Sequence, residues 1–342
     1  MCGMNSSGNP GPSLTANINE KSIRMNTARK TFRERFYQNP HAHVSDVYEK
    51  RGEVHRLIGK YDKALLDFGR NLQIAQICNN YKSEAKAVSQ IGNVYLHKSD
   101  FEKAEINFKK ALELFFNNKE GDGIAYCYQQ LGKTMQYKER HAEAVELFAE
   151  SLKQYSLMNN EQGKNLVLKG IADSYRFSKE YLKAISVLED VFKFYKATRD
   201  PINTAHALQI FGAVYSEMQE YEKSIDAYNE AYNISKEIGD NTAIIYILCG
   251  LGIAYFEKGL FEKANVYFHE SYKISETQGI IYMKAIALLN IGDSFLRQKN
   301  YDSAKEYLGK VLNCEINVDG IKQEANRLLR ETDFIMKGGE NK

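Results

Sequence analysis

IGNVYLHKSDFEKA (residues 91–104), LGIAYFEKGLFEKA (251–264) and IGDSFLRQKNYDSA (291–304) are three copies of one pattern. Each sets a glycine behind an apolar residue, an aromatic three positions after that glycine, a second aromatic nine after it and an alanine twelve after it. Working outward, the first small residue recurs every 40 positions as Gly52, Gly92, Gly132, Ala172, Gly212, Gly252 and Gly292. The second recurs with it as Ala64, Ala104, Ala144, Ala184, Ser224, Ala264 and Ala304. A fixed period over seven copies denotes an array of one supersecondary unit rather than the single core of a globular enzyme. Such an array acts by presenting a surface; the period does not name the partner.

Within the unit the apolar residues fall at helical spacing. Val88, Ile91 and Tyr95 stand four before, one before and three after the small residue, and Leu168, Ile171 and Tyr175 repeat the set. Phe108 and Leu112, or Phe268 and Tyr272, continue a second stripe sixteen and twenty positions after it. Such stripes bury one face of each of two helices. The second repeat reads as Ser83–Lys98 and Phe101–Phe116, with a short break at Ser99-Asp100 and a longer one at Asn117–Lys119. The small residue is expected to let the second helix approach where its own alanine sits. Asn79-Asn80, Asn159-Asn160, Arg199-Asp200, Gly239-Asp240, Gln278-Gly279 and Asp319-Gly320 read as helix stops between repeats. One hairpin cannot bury both stripes alone, so each repeat depends on its neighbours.

The bulk composition narrows the class. Three of the four prolines (Pro10, Pro12, Pro40) precede the repeats, which suits helix throughout the remainder. The net charge of +2 divides into +4 over residues 1–42 and −2 over the rest, so the repeats offer no general basic surface for nucleic acid. Five cysteines at irregular spacing suit a reducing compartment and give no zinc or disulfide framework. No apolar run approaches the ~20 residues of a membrane span, and no secretory leader is visible. The expected location is cytoplasmic.

The repeat resembles the tetratricopeptide repeat: a small residue at its eighth position, an aromatic three later, an aromatic at the turn, Ala at the twentieth position and an aromatic at the twenty-fourth. The resemblance covers residues 43–318, with repeats starting near Ser45, Ala85, Ala125, Asn165, Ala205, Ile245 and Ala285. It implies an all-α fold, a right-handed α-solenoid of seven helix–turn–helix units plus a C-terminal capping helix, with a concave groove lined mainly by first helices. Two departures stand out. The period is 40 rather than 34, so helices or inter-repeat turns are longer, and the family's proline near the repeat end is absent. The chain is expected to divide into a disordered tail (1–17), a basic helix or cap (18–42), the repeats (43–318), the capping helix (319–337) and a short tail (338–342). Arg51, His55 and Asn71, polar where other repeats are apolar or small, are expected to give the first repeat a solvated end. Leu328, Leu329 and Ile335 are expected to face inward from the cap.

No nucleotide loop of the GxxxxGK[ST] type, no HExxH and no CxxC appears, so no cofactor and no catalytic residue is assigned. His41, His43 and His55 lack a carboxylate or cysteine at ligand spacing, and no metal site is assigned. The aromatics sit on the buried stripes, which favours core packing over base stacking. The N-terminal stretch IRMNTARKTFRERF sets Ile23, Phe32 and Phe36 among arginines and reads as a solvated capping helix that packs its few apolar residues on the first repeat, the alternative being a segment that docks on a membrane surface or an acidic partner.

The resemblance places partner contacts at the second, fifth, ninth and twelfth positions of each first helix. In repeats two to four the expected contacts are Lys86, Asn93, Tyr126, Gln129, Lys133, Lys169, Asp173 and Arg176, long polar side chains suited to an extended peptide's backbone and carboxylates. In repeats six and seven they are Tyr246, Ile253, Phe256, Leu289 and Leu296, an apolar strip suited to anchoring. The set does not reproduce the family's carboxylate clamp, because Glu49 and Glu53 hold the matching sites of repeat one. The sequence therefore points to a non-enzymatic scaffold or adaptor that binds a protein or peptide in its groove. A peptide-responsive signalling regulator and a self-associating, homo-oligomeric scaffold are the alternatives.

Overall fold

The computed structural model describes residues 40–314 and 319–338, all of them in helices or the joints between helices. The expected N-terminal tail, nearly all of the basic segment and most of the C-terminal tail lie outside the described residues. The chain divides into two compact units, residues 1–134 and 135–342.

The first unit holds α1 (Pro40–Leu57), α2 (Tyr61–Ile77), α3 (Tyr81–His97), α4 (Phe101–Asn117) and most of α5 (Gly121–Tyr137). The second holds the last turn of α5, α6 (His141–Leu157), α7 (Glu161–Phe177), α8 (Tyr181–Ala197), α9 (Pro201–Glu217) and α10 (Tyr221–Ile238). It continues with α11 (Asn241–Glu257), α12 (Phe261–Gln278), α13 (Ile281–Arg297), α14 (Tyr301–Leu312) and α15 (Asp319–Met336). Odd-numbered helices up to α13 are first helices of hairpins, even-numbered ones are second helices, and α15 packs on α13 and α14 as a cap.

The 40-residue period is two equal steps. A residue in the left-handed backbone region stands every 20 positions: Gly59, Asn79, Ser99, Lys119 and so on to Lys299. At each, the helix closes as a Schellman turn, in which a later amide reaches back to the third-last helical carbonyl, as Asn80 N–H does to Ala75 O at 2.8 Å. The next residue then opens the following helix. Asn80, Asp100, Asn160, Asp200, Asp240 and Asn300 each accept a hydrogen bond from the amide three residues on. Typical helices are 17 residues long. The extra length of the repeat is therefore in the helices, and the joints within and between hairpins match. The longer break expected at Asn117–Lys119 is absent because the same two-residue device serves every joint.

The small residue of each first helix makes room chiefly for the large side chain sixteen positions on. A Cβ at Gly252 would stand 2.3 Å from the Phe268 ring, and one at Gly92 2.9 Å from Phe108. Close approach at the second small residue also occurs: Ser224 Oγ donates to Gly212 O at 2.7 Å. Phe68, Phe108, Phe148 and Phe268 are consequently sealed from water, and truncating one to Ala costs about 3–5 kcal/mol.

Both ends differ from the sequence reading in one respect. Of the three polar residues of the first repeat, Arg51 stays half-exposed as expected, His55 is half-buried and Asn71 is buried. Buried Asp67 accepts from Arg51 Nε at 2.9 Å and pairs with His55 Nδ1 at 2.9 Å, while Asn71 Oδ1 accepts from Ser45 Oγ. The physical reason is that a buried carboxylate or amide is tolerated only when paired. At the other end Ala325, Leu328 and Thr332 of α15 are buried, with Leu329 and Ile335 half-buried, over Leu288, Leu308 and Val311. The seventh second helix stops early, at Leu312, and Asp319-Gly320 opens the cap rather than ending a helix.

Candidate functional site

Within each unit, neighbouring first helices bring several of the expected contact residues together. In the first unit, Lys86 of α3 pairs with Glu49 of α1 at 2.6 Å. Asn93 of α3 donates to the Tyr126 hydroxyl of α5 at 2.6 Å, and burial pushes that phenol's pKa up to about 12. Beside them Arg56 of α1, held by Glu53 (Nε to Oε2, 2.9 Å), lies 2.6 Å from His97 Nε2 of α3. Arginine has only donors, so His97 accepts there in its neutral form. Burial, then the Arg56 charge, lowers its pKa. Lys133 of α5 is exposed, has no carboxylate partner among the described residues and has its ammonium pKa lowered by desolvation. Gln129 is not available as a contact: it is 8% exposed, turned into the helix packing.

The wall of the second unit has two parts. On α7 and α9 the polar groups are mutually engaged. Lys169 donates to Asn203 and stands 5.4 Å above the Tyr195 ring centre. Arg176 binds Asp173 at 2.8 Å and also Glu217, its guanidinium 3.9 Å over Phe177. His206 of α9 has its pKa lowered by burial and by the Lys169 charge. On α11 and α13 the wall is apolar. Tyr246 and Ile253 are 42% and 39% exposed, with Tyr137 and Tyr282 more exposed still. Burial, then the neighbouring phenols of Tyr282 and Tyr137, raises the Tyr246 pKa, so the three tyrosines share one neighbourhood. Phe256 and Leu289 are half-buried in the hairpin cores. Leu296, 4% exposed, drops out of the contact set because the cluster beneath α15 covers it.

Tetratricopeptide repeat models match residues 43–115, 83–156, 165–237 and 202–277, and a second model of the same repeat matches 286–313. The chain belongs to the tetratricopeptide repeat (TPR) family. No curated protein matches it by sequence. Among solved structures it is similar to a Rap protein complexed with Competence and Sporulation Factor, at 12% identity and TM-score 0.64, over 83% of this chain and 76% of that one. Aspartyl phosphate phosphatase F of Bacillus subtilis gives 14% identity and TM-score 0.64, over 91% and 76% of the two chains. A TPR protein of Parabacteroides merdae gives 12% and 0.57, over 85% and 99%. At such identities the likeness is one of fold.

Reading four TPR positions per helix missed several wall residues. Tyr137 and Phe177 stand five after the small residue, one step beyond the last position read, and Tyr282 lies in the first turn of α13. Their exposure is a tertiary fact, but their aromatic character on a first helix, outside the buried stripe, was a usable signal. Among the described residues no group of three His, Cys, Asp or Glu side chains is placed to hold a metal ion. None of the described helices is long and apolar enough to cross a membrane. A pocket of about 470 Å³ between α12, α13 and α14 lies away from the wall, and its two lysines, Lys284 and Lys310, are paired with Glu276 and Glu306.

Proposed function

We propose that this TPR protein is a non-enzymatic adaptor whose first-helix walls bind a peptide or helical segment of a partner protein. The observation that carries the reading is the apolar part of the second wall. Tyr246, Ile253, Tyr137 and Tyr282 keep substantial apolar surface in water, at 42%, 39%, 62% and 46% exposure. Contiguous exposed apolar surface of this kind is a contact surface, and aromatic anchors dominate the energetics of such contacts. In the first unit Asn93 spends its amide on Gln90 and Tyr126, and the unpaired Lys133 offers a donor to a peptide's carbonyls and carboxylates. The test is selection of a random-peptide display library on the full chain. Enriched peptides that lose binding on Ile253→Asp, and keep it on Val266→Asp at an exposed second-helix position, support the assignment. Peptides that respond only to the second substitution refute it.

A peptide-responsive regulator is the second reading, favoured by the similarity to a Rap protein solved with a factor bound. Small-angle scattering with and without a selected peptide separates the two, since a regulator of this kind changes dimensions on binding and a passive adaptor does not.

A further inference from the structure

α1 presents to water a face that every later first helix buries. The positions five before and two after the small residue are 0% exposed in all six later repeats, from Ala87 and Val94 to Ala287 and Ser294. Their counterparts in α1 are Val47 and Val54, 58% and 54% exposed. Val44 and Ile58, also exposed, extend the stripe at helical spacing. In the next repeat the second helix of the preceding hairpin fills this place: Val94 packs with Ala64, Phe68 and Leu65, while Leu72 packs on the cluster of Ala85 and Val88.

We propose that residues 21–37 of this same chain, which lie outside the described residues, cover Val47 and Val54 as a second helix without a first. The segment is 17 residues long, the length of α2 and α3, and it directly precedes α1. Shifted by one repeat, the covering residues Leu65, Phe68 and Leu72 become Met25, Ala28 and Phe32, all apolar. Three slots differ: Lys21, Arg24 and Arg35 replace Tyr61, Ala64 and Ala75. Ala64 packs with Val94 as well as bordering its own hairpin's first helix, so Arg24 would lay its aliphatic stem beside Val54 and carry its charge out on the side where a lone covering helix has no first helix. Arg29, Lys30 and Arg33 give the outer surface the polarity that the end of a repeat array requires.

The test uses the full chain with Cys2, Cys78 and Cys314 changed to serine and one reporter thiol, Val54→Cys, labelled with a maleimide. Val266→Cys in the same background is the freely accessible standard. The expected result is labelling of position 54 slower by at least about tenfold than position 266, independent of protein concentration and restored by Met25→Asp with Phe32→Asp. Circular dichroism confirms that the repeats of each variant remain folded. Labelling as fast as the standard overturns the proposal. Protection that grows with protein concentration assigns the face to a second copy and overturns it, as does protection that the two aspartates leave intact.

Discussion

The walls of the two units are built on the same hairpin and differ in what they leave unsatisfied. In the first unit the wall is a hydrogen-bonded polar surface in which Lys86, Asn93, Arg56 and Tyr126 already have partners, and Lys133 is the exposed cation without a carboxylate. In the second, α11 and α13 replace that network with Tyr246, Ile253 and Tyr282. A polar wall gains little from a visitor that only exchanges its hydrogen bonds for new ones, whereas exposed apolar surface gains directly from being covered. Affinity is therefore expected to reside in the second wall, and orientation and salt dependence in the first.

The largest expected effect follows from that division. Tyr246→Asp with Ile253→Asp should weaken a selected peptide about 100-fold, at about 2 kcal/mol or less for each anchor. Both side chains are already exposed, so the melting temperature should move little; calorimetric titration with parallel thermal melts reads both. Next, Lys133→Gln should cost about tenfold at low salt and much less at high salt. Lys86→Gln should change affinity by no more than about twofold, because Glu49 already engages that cation in an exposed pair. Equal effects of the two lysines would erase the distinction between free and engaged cations.

The pH response has the same local cause in each wall. His97 and His206 both have pKa values below the ordinary 6.5, chiefly through burial. A histidine whose folded pKa is depressed resists protonation in the native state while the unfolded chain takes up the proton freely. Its contribution is complete above about pH 6.5 and is lost as pH falls toward the folded pKa. Thermal stability should therefore decline between about pH 7 and pH 5.5, and His97→Gln with His206→Gln should flatten that decline.

The smallest effect concerns the joints. Lys119 in the first unit and Lys179 in the second hold positive φ values of 56° and 61°, where Gly59 and Gly259 serve elsewhere. Replacing either by Gly relieves a left-handed strain of about 1–2 kcal/mol against an unfolded-state entropy cost of about 0.5–1 kcal/mol. Each should gain a few tenths to about 1 kcal/mol in denaturant melts. Similar gains in both units would show that the scaffold is uniform and that the walls differ only in their side chains.

The fold was legible because Gly252 and its six counterparts keep strict register with the residue sixteen positions later, and that register is a packing requirement written in one dimension. Helix ends were readable to within two residues because Asn80 and Asp100 carry their own capping chemistry. The wall was less legible. Lys133 and Lys169 look alike in sequence, but only the structure shows Asn203 engaging one of them. Leu296 looks like Ile253 in sequence, yet α15 covers its neighbourhood. Asn71 looked like a solvated end residue because sequence spacing does not reveal that Ser45 meets it inside the first hairpin. Position within a repeat gives the face, while the neighbouring helix decides whether a residue on that face is free.

The central claim is that the first helices carry the contact surface. A selected peptide bearing a photoreactive benzophenone, cross-linked to the full chain and mapped by mass spectrometry, tests it directly. The account predicts adducts on Tyr137, Tyr246, Ile253 or Tyr282. Adducts confined to exposed second-helix residues such as Ile106, Leu182 or Val266 would contradict it.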